Sequence, residues 1–495
     1  MNLAKLEQKR LKLSRKTNSA KKSSLGQFLT PQKTAEFMAS LFPDGCGHCR
    51  LLDAGAGIGS LSAAFLDRWV DGEFRFHNIE VDAFEVDQDL IEALSETLSN
   101  YSLDNNLTSK IYQEDFIHAA ADSLSGNLFS TPLEPYTHVI LNPPYKKISS
   151  RSAHRLALRR VGIETVNLYS AFVALAVALT ASEGQIVAII PRSFCNGPYY
   201  RPFRDFILER SAIRHIHLFE SRSQAFKDDD VLQENIIIRL ERDGQPESVT
   251  ISTSTDDSFS DLTIQEHPFD RIIFPDDLER FIHIPTTTEK SVIELSPTVR
   301  YSLAELGIQV STGPVVDFRL KAHLRDNPEP GTVPLIYPGH LANGYVVWPK
   351  PELKKPNAIM RNKETEKWLY PNGFYCVVRR FSSKEEKRRV IASVISPAIF
   401  GYESLLGFEN HLNLFHENKH GLPETLVHGL STFLNTTAVD EYFRRFNGHT
   451  QVNATDLRQM KYPSRSALIE LGQWAMEQQD LTQAQIDAKL DTLTT

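Results

Sequence analysis

The chain has 495 residues, 41% of them apolar and 23% charged, enough material for two or three separate cores. A net charge of −8 argues against a uniformly basic coat, and four cysteines exclude a disulfide scaffold and fit a reducing, cytoplasmic setting. No apolar run approaches the roughly 20 residues of a membrane span, and the basic start "MNLAKLEQKRLKLSRKTNSAKK" lacks the apolar stretch of a secretory signal.

The charge is unevenly spread. Residues 1–22 hold eight Lys/Arg against Glu7 alone, residues 146–160 hold six and no acid, and residues 351–400 hold eleven against five acids. One such patch is ordinarily a solvated face. Three of them in an acidic chain point to a polyanion as partner.

In chain order, Cys46 and Cys49 form a CxxC ahead of the first strand-like run. A zinc site needs four ligands, and Cys195 and Cys376 are single and distant, so a turn is expected there and no metal. From "CRLLDAGA" through "AAFLDRWV", "VDAFEVD", "DLIEALSETLS", "SKIYQED", "THVILNPP", "LYSAFVALAVALTA", "GQIVAIIP", "YRPFRDFILE" and "IRHIHLFE" to "ENIIIRLE", strand-like and helix-like runs alternate. That pattern predicts βαβ units and a mostly parallel sheet covered on both faces. After Asp243 the alternation fades into the polar, turn-rich "RDGQPESVTISTSTDDSFSD". A mixed second region follows, with "PNGFYCVVRRFSS" as strand and "ALIELGQWAMEQQ" and "TQAQIDAKLDTL" as helices.

Gly55, Gly57 and Gly59 come directly after the first strand and before a helix, preceded by Asp53. Glycines there let the backbone turn tightly and approach a ligand at the carboxyl ends of the strands. The second strand ends in Glu85 and Asp87, where a carboxylate can accept from ribose hydroxyls, and Asp115 with Phe116 offers an acceptor beside an apolar plate, as an adenine ring requires. In this order and spacing the three features favour an adenosyl ligand.

The fourth strand runs into Asn142, Pro143, Pro144 and Tyr145. Two prolines make a stiff turn without amide donors. The Asn142 side-chain oxygen and the Pro143 carbonyl can both accept from one amino group, and gripping both hydrogens while the nitrogen pyramidalises favours the geometry of attack. Tyr145 supplies a face on which a base can stack. The chemistry implied is attack of a planar amino nitrogen on an electrophilic carbon, for which the sulfonium methyl of S-adenosylmethionine fits.

"GQFLTP" (26–31), "DAGAGIGS" (53–60), "AFEVD" (83–87), "EDF" (114–116) and "NPPY" (142–145) stand in the order of the γ-class N6-adenine DNA methyltransferases. The chain resembles the modification methylases of PstI and BsuBI type, within the Eco57I-methylase group. The likeness continues through "YCVVRRFSSKEEKRR", "GFENHLNLFH" and "FNGHTQVNATDLRQMKYPS". It implies an α/β, Rossmann-like S-adenosylmethionine-dependent catalytic domain over 1–290 and a mixed α+β target-recognition domain over 291–495. Thr30 and Pro31 would close over the methionine end of the cofactor, with Asp53, Gly55, Gly57 and Gly59 beside it. Glu85 would bind the ribose, Asp115 and Phe116 the adenine. Phe226 would face the extruded base opposite Tyr145, with Phe194 as its competitor. Lys146, Lys147 and Arg151 lie beside the pocket mouth, where they could hold phosphates. Arg379, Arg380, Arg388 and Arg389 could track the backbone or read guanine edges, and "GHTQVNATDLR" suits either base contacts or structure.

The implied partner is double-stranded DNA, and a cognate restriction endonuclease could exist as a separate chain. Cytosine N4 presents the same chemical problem as adenine N6, as does a glutamine side-chain amide in a protein. A silent DNA-binding regulator would keep the fold without the transfer.

Overall fold

Strands that alternate between two buried faces set the architecture. In the computed structural model, which describes residues 3–16, 29–101, 106–127, 131–220, 234–290, 292–383, 385–448, 450–478 and 480–494, the chain divides into two units, Met1–Thr288 and Glu289–Thr495.

Among the described residues the first unit is built on nine strands. These are β1 (Cys46–Ala54), β2 (Arg75–Phe84), β3 (Leu107–Tyr112), β4 (Tyr136–Leu141), β5 (Thr180–Pro191), β6 (Ser211–Phe219), β7 (Asn235–Arg242), β8 (Val249–Ser254) and β9 (Thr263–His267). They form one sheet in the order β3-β2-β1-β4-β5-β7-β6-β8-β9. β1 pairs in parallel with both β2 and β4, whereas β7 is antiparallel to both neighbours, β5 and β6. Strand order reverses between β1 and β4, and ligands of open α/β sheets sit outside the carboxyl ends at such a reversal.

Successive strand residues point to opposite faces, and the cores follow. Leu52, Leu141 and Ala188 join one apolar cluster, while Leu51, Ile140 and Val187 join the other. α1 (Leu3–Lys16), α2 (Gln32–Ser40), α3 (Ser60–Val70) and α4 (Gln88–Ser99) cover the second cluster. α5 (Phe116–Leu124), α6 (Ala153–Arg160), α7 (Leu168–Leu179) and α8 (Arg201–Arg210) cover the first. α7 is apolar nearly all round because it is buried nearly all round.

β8 departs from the expectation of a turn-rich segment after Asp243. Its hydroxyls are not solvated: Ser252 Oγ lies 2.7 Å from His215 Nε2 and 2.9 Å from His217 Nδ1 on β6. Hydroxyls bonded across the ladder let a polar run serve as an inner strand.

The second unit holds two small sheets. One runs Gln309–Thr312, Leu412–His416, Tyr375–Arg379, Ala392–Ile395, Tyr345–Val346 and Leu341–Ala342; the other runs Leu324–Arg325, Ala358–Met360, Thr332–Ile336, Leu405–Phe408 and Leu369–Pro371. Two helices, α9 (Glu424–Leu434) and α10 (Arg465–Met476), pack at a pair of glycines. A Cβ on Gly429 would lie 1.8 Å from the Leu468 carbonyl oxygen, and one on Gly472 would lie 1.7 Å from that of Thr425. No helix among the described residues is long and apolar enough to cross a membrane.

Candidate active site

The loops leaving β1, β2, β3 and β4 converge on one cavity of about 210 Å³. Gly55 and Gly57 line it with bare backbone. Both are left-handed, with φ of +81° and +59°, and a side chain on Gly57 would meet Leu29 Cδ2 at 2.9 Å. Gly55 and Ala56 hang by their amides from the Phe84 carbonyl, each at 2.9 Å. Gly59 begins α3 and packs on Leu94 and Thr97.

Asp53 lies at the end of β1, fully buried, and is not among the cavity-lining residues. Its Oδ2 accepts from Ser62 Oγ at 2.6 Å and Ser62 N at 3.2 Å, tying the strand to α3. Burial pushes the carboxyl up to about 7 against those two bonds.

Glu85 stands on the cavity wall, 2% exposed. It accepts from Gly57 N at 2.9 Å through Oε2 and from Asp87 N at 2.7 Å through Oε1, so its carboxylate is oriented by backbone before any ligand arrives. Phe84, Phe116 and Phe172 form the apolar wall, Phe116 meeting the other two at ring distances of 5.2 and 5.0 Å.

Asp115 caps α5 through Oδ1, which accepts from His118 N at 3.1 Å, while its Oδ2 lies 2.9 Å from His154 Nε2. Burial alone would raise the Asp115 carboxyl, but the His154 bond and the His118 amide outweigh it and hold the group below its usual range. The same bond lifts the His154 imidazole above 6.5. The signs differ. The His154 contribution to stability is complete below the ordinary imidazole range and fades as pH rises through its raised value. The Asp115 contribution is present above the ordinary carboxylate range and fades as pH falls through its lowered value. An NMR titration of the His154 ring is expected to move down in Asp115→Asn; an unmoved curve would show that the pair does not form. His118 brings a third ligand-type atom within 4.8 Å, but the cluster sits at the positive end of α5, which disfavours a cation.

β4 delivers Asn142 to the rim, where Asn142, Pro144 and Lys146 line the same cavity as the glycines. Asn142 Nδ2 donates to Thr30 Oγ1 at 3.0 Å. The Tyr145 hydroxyl lies 3.2 Å from Asn142 Oδ1 and 3.1 Å from the Ile189 carbonyl, and burial drives its pKa upward. The Tyr145 ring is half-buried and meets Tyr169 edge-on at 6.2 Å.

Residues 11–226 match the model of the Eco57I restriction-modification methylase family. The chain is 54% identical to the type II methyltransferase M.BsuBI of Bacillus subtilis over 95% of its own length and 94% of that protein's. It is 43% identical to M.PstI of Providencia stuartii, covering 91% and 89%. The chain belongs to the BsuBI/PstI-type methyltransferases. The type IIL restriction-modification enzyme MmeI, solved in complex with DNA, shares the fold at 9% identity and a TM-score of 0.50, covering all of this chain and 74% of that one.

The methyl donor of this methyltransferase is S-adenosylmethionine, and the cavity suits it. A wall of bare backbone at Gly55 and Gly57 admits a ligand where any side chain would intrude, three aromatic rings offer plates, and Glu85 and Asp115 place acceptors at the edge.

Other residues singled out in the methyltransferase sequence have four different settings. Lys147 and Arg151 are exposed, Lys147 next in sequence to the cavity-lining Lys146, whereas Arg155 and Arg159 pair with Glu164, and Arg160 pairs with Asp122. Phe194 is fully buried against Phe203 and is a core residue; Phe226 lies outside the described residues, as do residues 26–28 of "GQFLTP".

In the second unit Arg379 pairs with Glu386 at 2.7 Å, and Arg380 donates to the Asn410 carbonyl and to Gln451. Arg388 donates to Gln483 and to the Thr436 carbonyl. Arg389 corrects the expectation of a phosphate contact: it is 1% exposed, and its guanidinium donates to Ser382 and Asn447. In "GHTQVNATDLR", Asn453 and Asp456 form a capping box, and Asn447 donates to Asp456 at 3.1 Å, so these side chains are structural. Sequence reasoning passed over His154 and Phe172, which belong to no recognisable motif, and Leu29, which stands inside "GQFLTP".

Proposed function

We propose that this methyltransferase modifies the N6 amino group of an adenine extruded from double-stranded DNA, as the modification enzyme of a type II restriction-modification system. The observation that carries the reading is that Asn142 stands on the same cavity wall as Gly55, Glu85 and Asp115. S-adenosylmethionine supplies a methyl carbon on a sulfonium. Asn142 Oδ1 and the Pro143 carbonyl would accept the two amine hydrogens and draw them out of the ring plane, so that the nitrogen lone pair leaves conjugation with the ring. The carbon–sulfur bond breaks as the carbon–nitrogen bond forms, and the surplus proton on nitrogen is lost to water. These acceptors also stabilise the positive charge that grows on the nitrogen. Tyr145 and Phe226 enclose the base, and Pro31, Gly59 and Phe116 complete the cofactor site, with Asp53 tying β1 to α3 behind it.

A base inside a duplex cannot present its amine to such a pocket, so it is flipped out, and Lys146, Lys147 and Arg151 hold the flanking phosphates. Residues 291–495 read the target sequence, with Arg379 and Arg380 as candidate contacts at their exposed edges.

Expression of the chain in a methylation-free host, followed by single-molecule sequencing, should reveal N6-methyladenine at one short motif. N4-methylcytosine would transfer the reading to the other exocyclic amine. Cofactor binding with no modified base would identify a silent DNA-binding regulator.

A further inference from the structure

An asparagine amide has two unlike ends, and the reaction proposed above can use only one. An amide turned by 180° would present two N–H groups to the target amine, donor against donor. Something must therefore accept from Nδ2 while Oδ1 faces the base.

Thr30 occupies that place. Its Oγ1 takes Asn142 Nδ2 at 3.0 Å, and Thr30 is only 5% exposed, which leaves little room for water to substitute. The residues around it are held. Pro31 caps α2, its carbonyl accepting from Ala35 N at 2.9 Å, and Gln32 N donates to Glu7 Oε2 on α1 at 3.1 Å. Glu7 is in turn gripped by Arg10, whose Nε and Nη2 donate to its two carboxylate oxygens. On the other side Leu29 closes against the backbone of Gly57.

We infer that Thr30 is a positioning residue for Asn142: its hydroxyl at Nδ2, together with the Tyr145 hydroxyl at Oδ1, sets which end of the amide faces the target amine. This rests on the proposed role of Asn142 and changes the expectation for Thr30, which the family likeness assigns to the methionine end of the cofactor. The two roles separate experimentally. A positioning residue governs the rate of transfer at saturation, whereas a cofactor ligand governs cofactor affinity.

The test uses the full chain and plasmid DNA carrying the motif mapped by sequencing. Single-turnover rates are measured at saturating S-adenosylmethionine and DNA, with cofactor Kd by calorimetry, for wild type, Thr30→Val, Thr30→Ser and Asn142→Ala. Thr30→Val keeps the shape and removes the hydroxyl. It should lower the rate roughly tenfold or more, because the bond that turns Nδ2 away from the target amine is lost, with Kd within about twofold. Thr30→Ser should restore most of the rate.

A raised Kd with an unchanged rate in Thr30→Val would return Thr30 to the cofactor and overturn the inference. A slow Thr30→Ser would also overturn it, since shape and not the hydroxyl would then matter. If Thr30→Val does not fold, Thr30→Ala against Thr30→Ser decides by the same criteria. An active Asn142→Ala would instead defeat the reading of the site itself; an inactive one beside a fully active Thr30→Val defeats only this inference.

Discussion

Asn142→Ala is expected to lower the single-turnover rate of methyl transfer by roughly 10²–10³-fold, the usual cost of losing one preorganised group from a charge-stabilising site. Cofactor affinity should change little, because the walls at Gly55, Gly57, Glu85 and Phe116 are untouched. The cause is differential. In the ground state the amine is planar and water solvates it adequately; in the transition state its hydrogens need acceptors that are already aimed, and Oδ1 is one of them. Asn142→Asp retains an oxygen at that point and should be less damaging than alanine. Quench-flow rates with radiolabelled cofactor check both variants. A fully active alanine variant would remove Asn142 from the chemistry.

Gly472→Ala is expected to destabilise the second unit by about 3 kcal/mol or more, at the upper end of what overpacking costs. The added carbon would sit 1.7 Å from the Thr425 carbonyl oxygen, with the Gly429 amide nitrogen 2.8 Å away. Both obstacles are backbone, so no side chain can rotate aside; α9 and α10 must separate. Helices cross this closely only where small residues let their backbones approach. Urea unfolding of the full chain should show the second unit melting earlier, while S-adenosylmethionine binding persists, since its cavity lies within the first unit. An unshifted curve would mean that the helices can part at no cost.

Most of the catalytic sheet was legible because its signals are local. The runs leading to Gly55 and Asn142 end in residues buried on both faces, so their apolar density stands out, whereas the run leading to Glu85 shows itself by alternating buried with half-exposed residues. β8 was illegible for the opposite reason. Its serines and threonines read as loop, and the strands it pairs with, together with the imidazoles of His215 and His217 that take Ser252, come from elsewhere in the chain.

Charge was legible as composition and misleading as location. Arg389 stands in a basic run, yet Ser382 and Asn447 take its guanidinium in the interior. Arg10 likewise belongs to the basic N-terminus but is spent on Glu7. A sequence displays charges; partners that arrive from distant segments decide which of them reach solvent. The His154–Asp115 pair shows the same limit, because nothing in either residue's neighbourhood names the other.

β7 lies between β5 and β6 in the sheet but follows both in the chain. During synthesis β6 therefore emerges with no neighbour to dock on. Its backbone groups stay unmatched until β7 has left the ribosome and slid into the gap. The far edge, β8 and β9, builds onto the other side of β6 and joins the rest of the sheet through β7. The nascent chain thus exposes an open strand edge through this interval, a place for a chaperone to bind and for a second copy to pair wrongly.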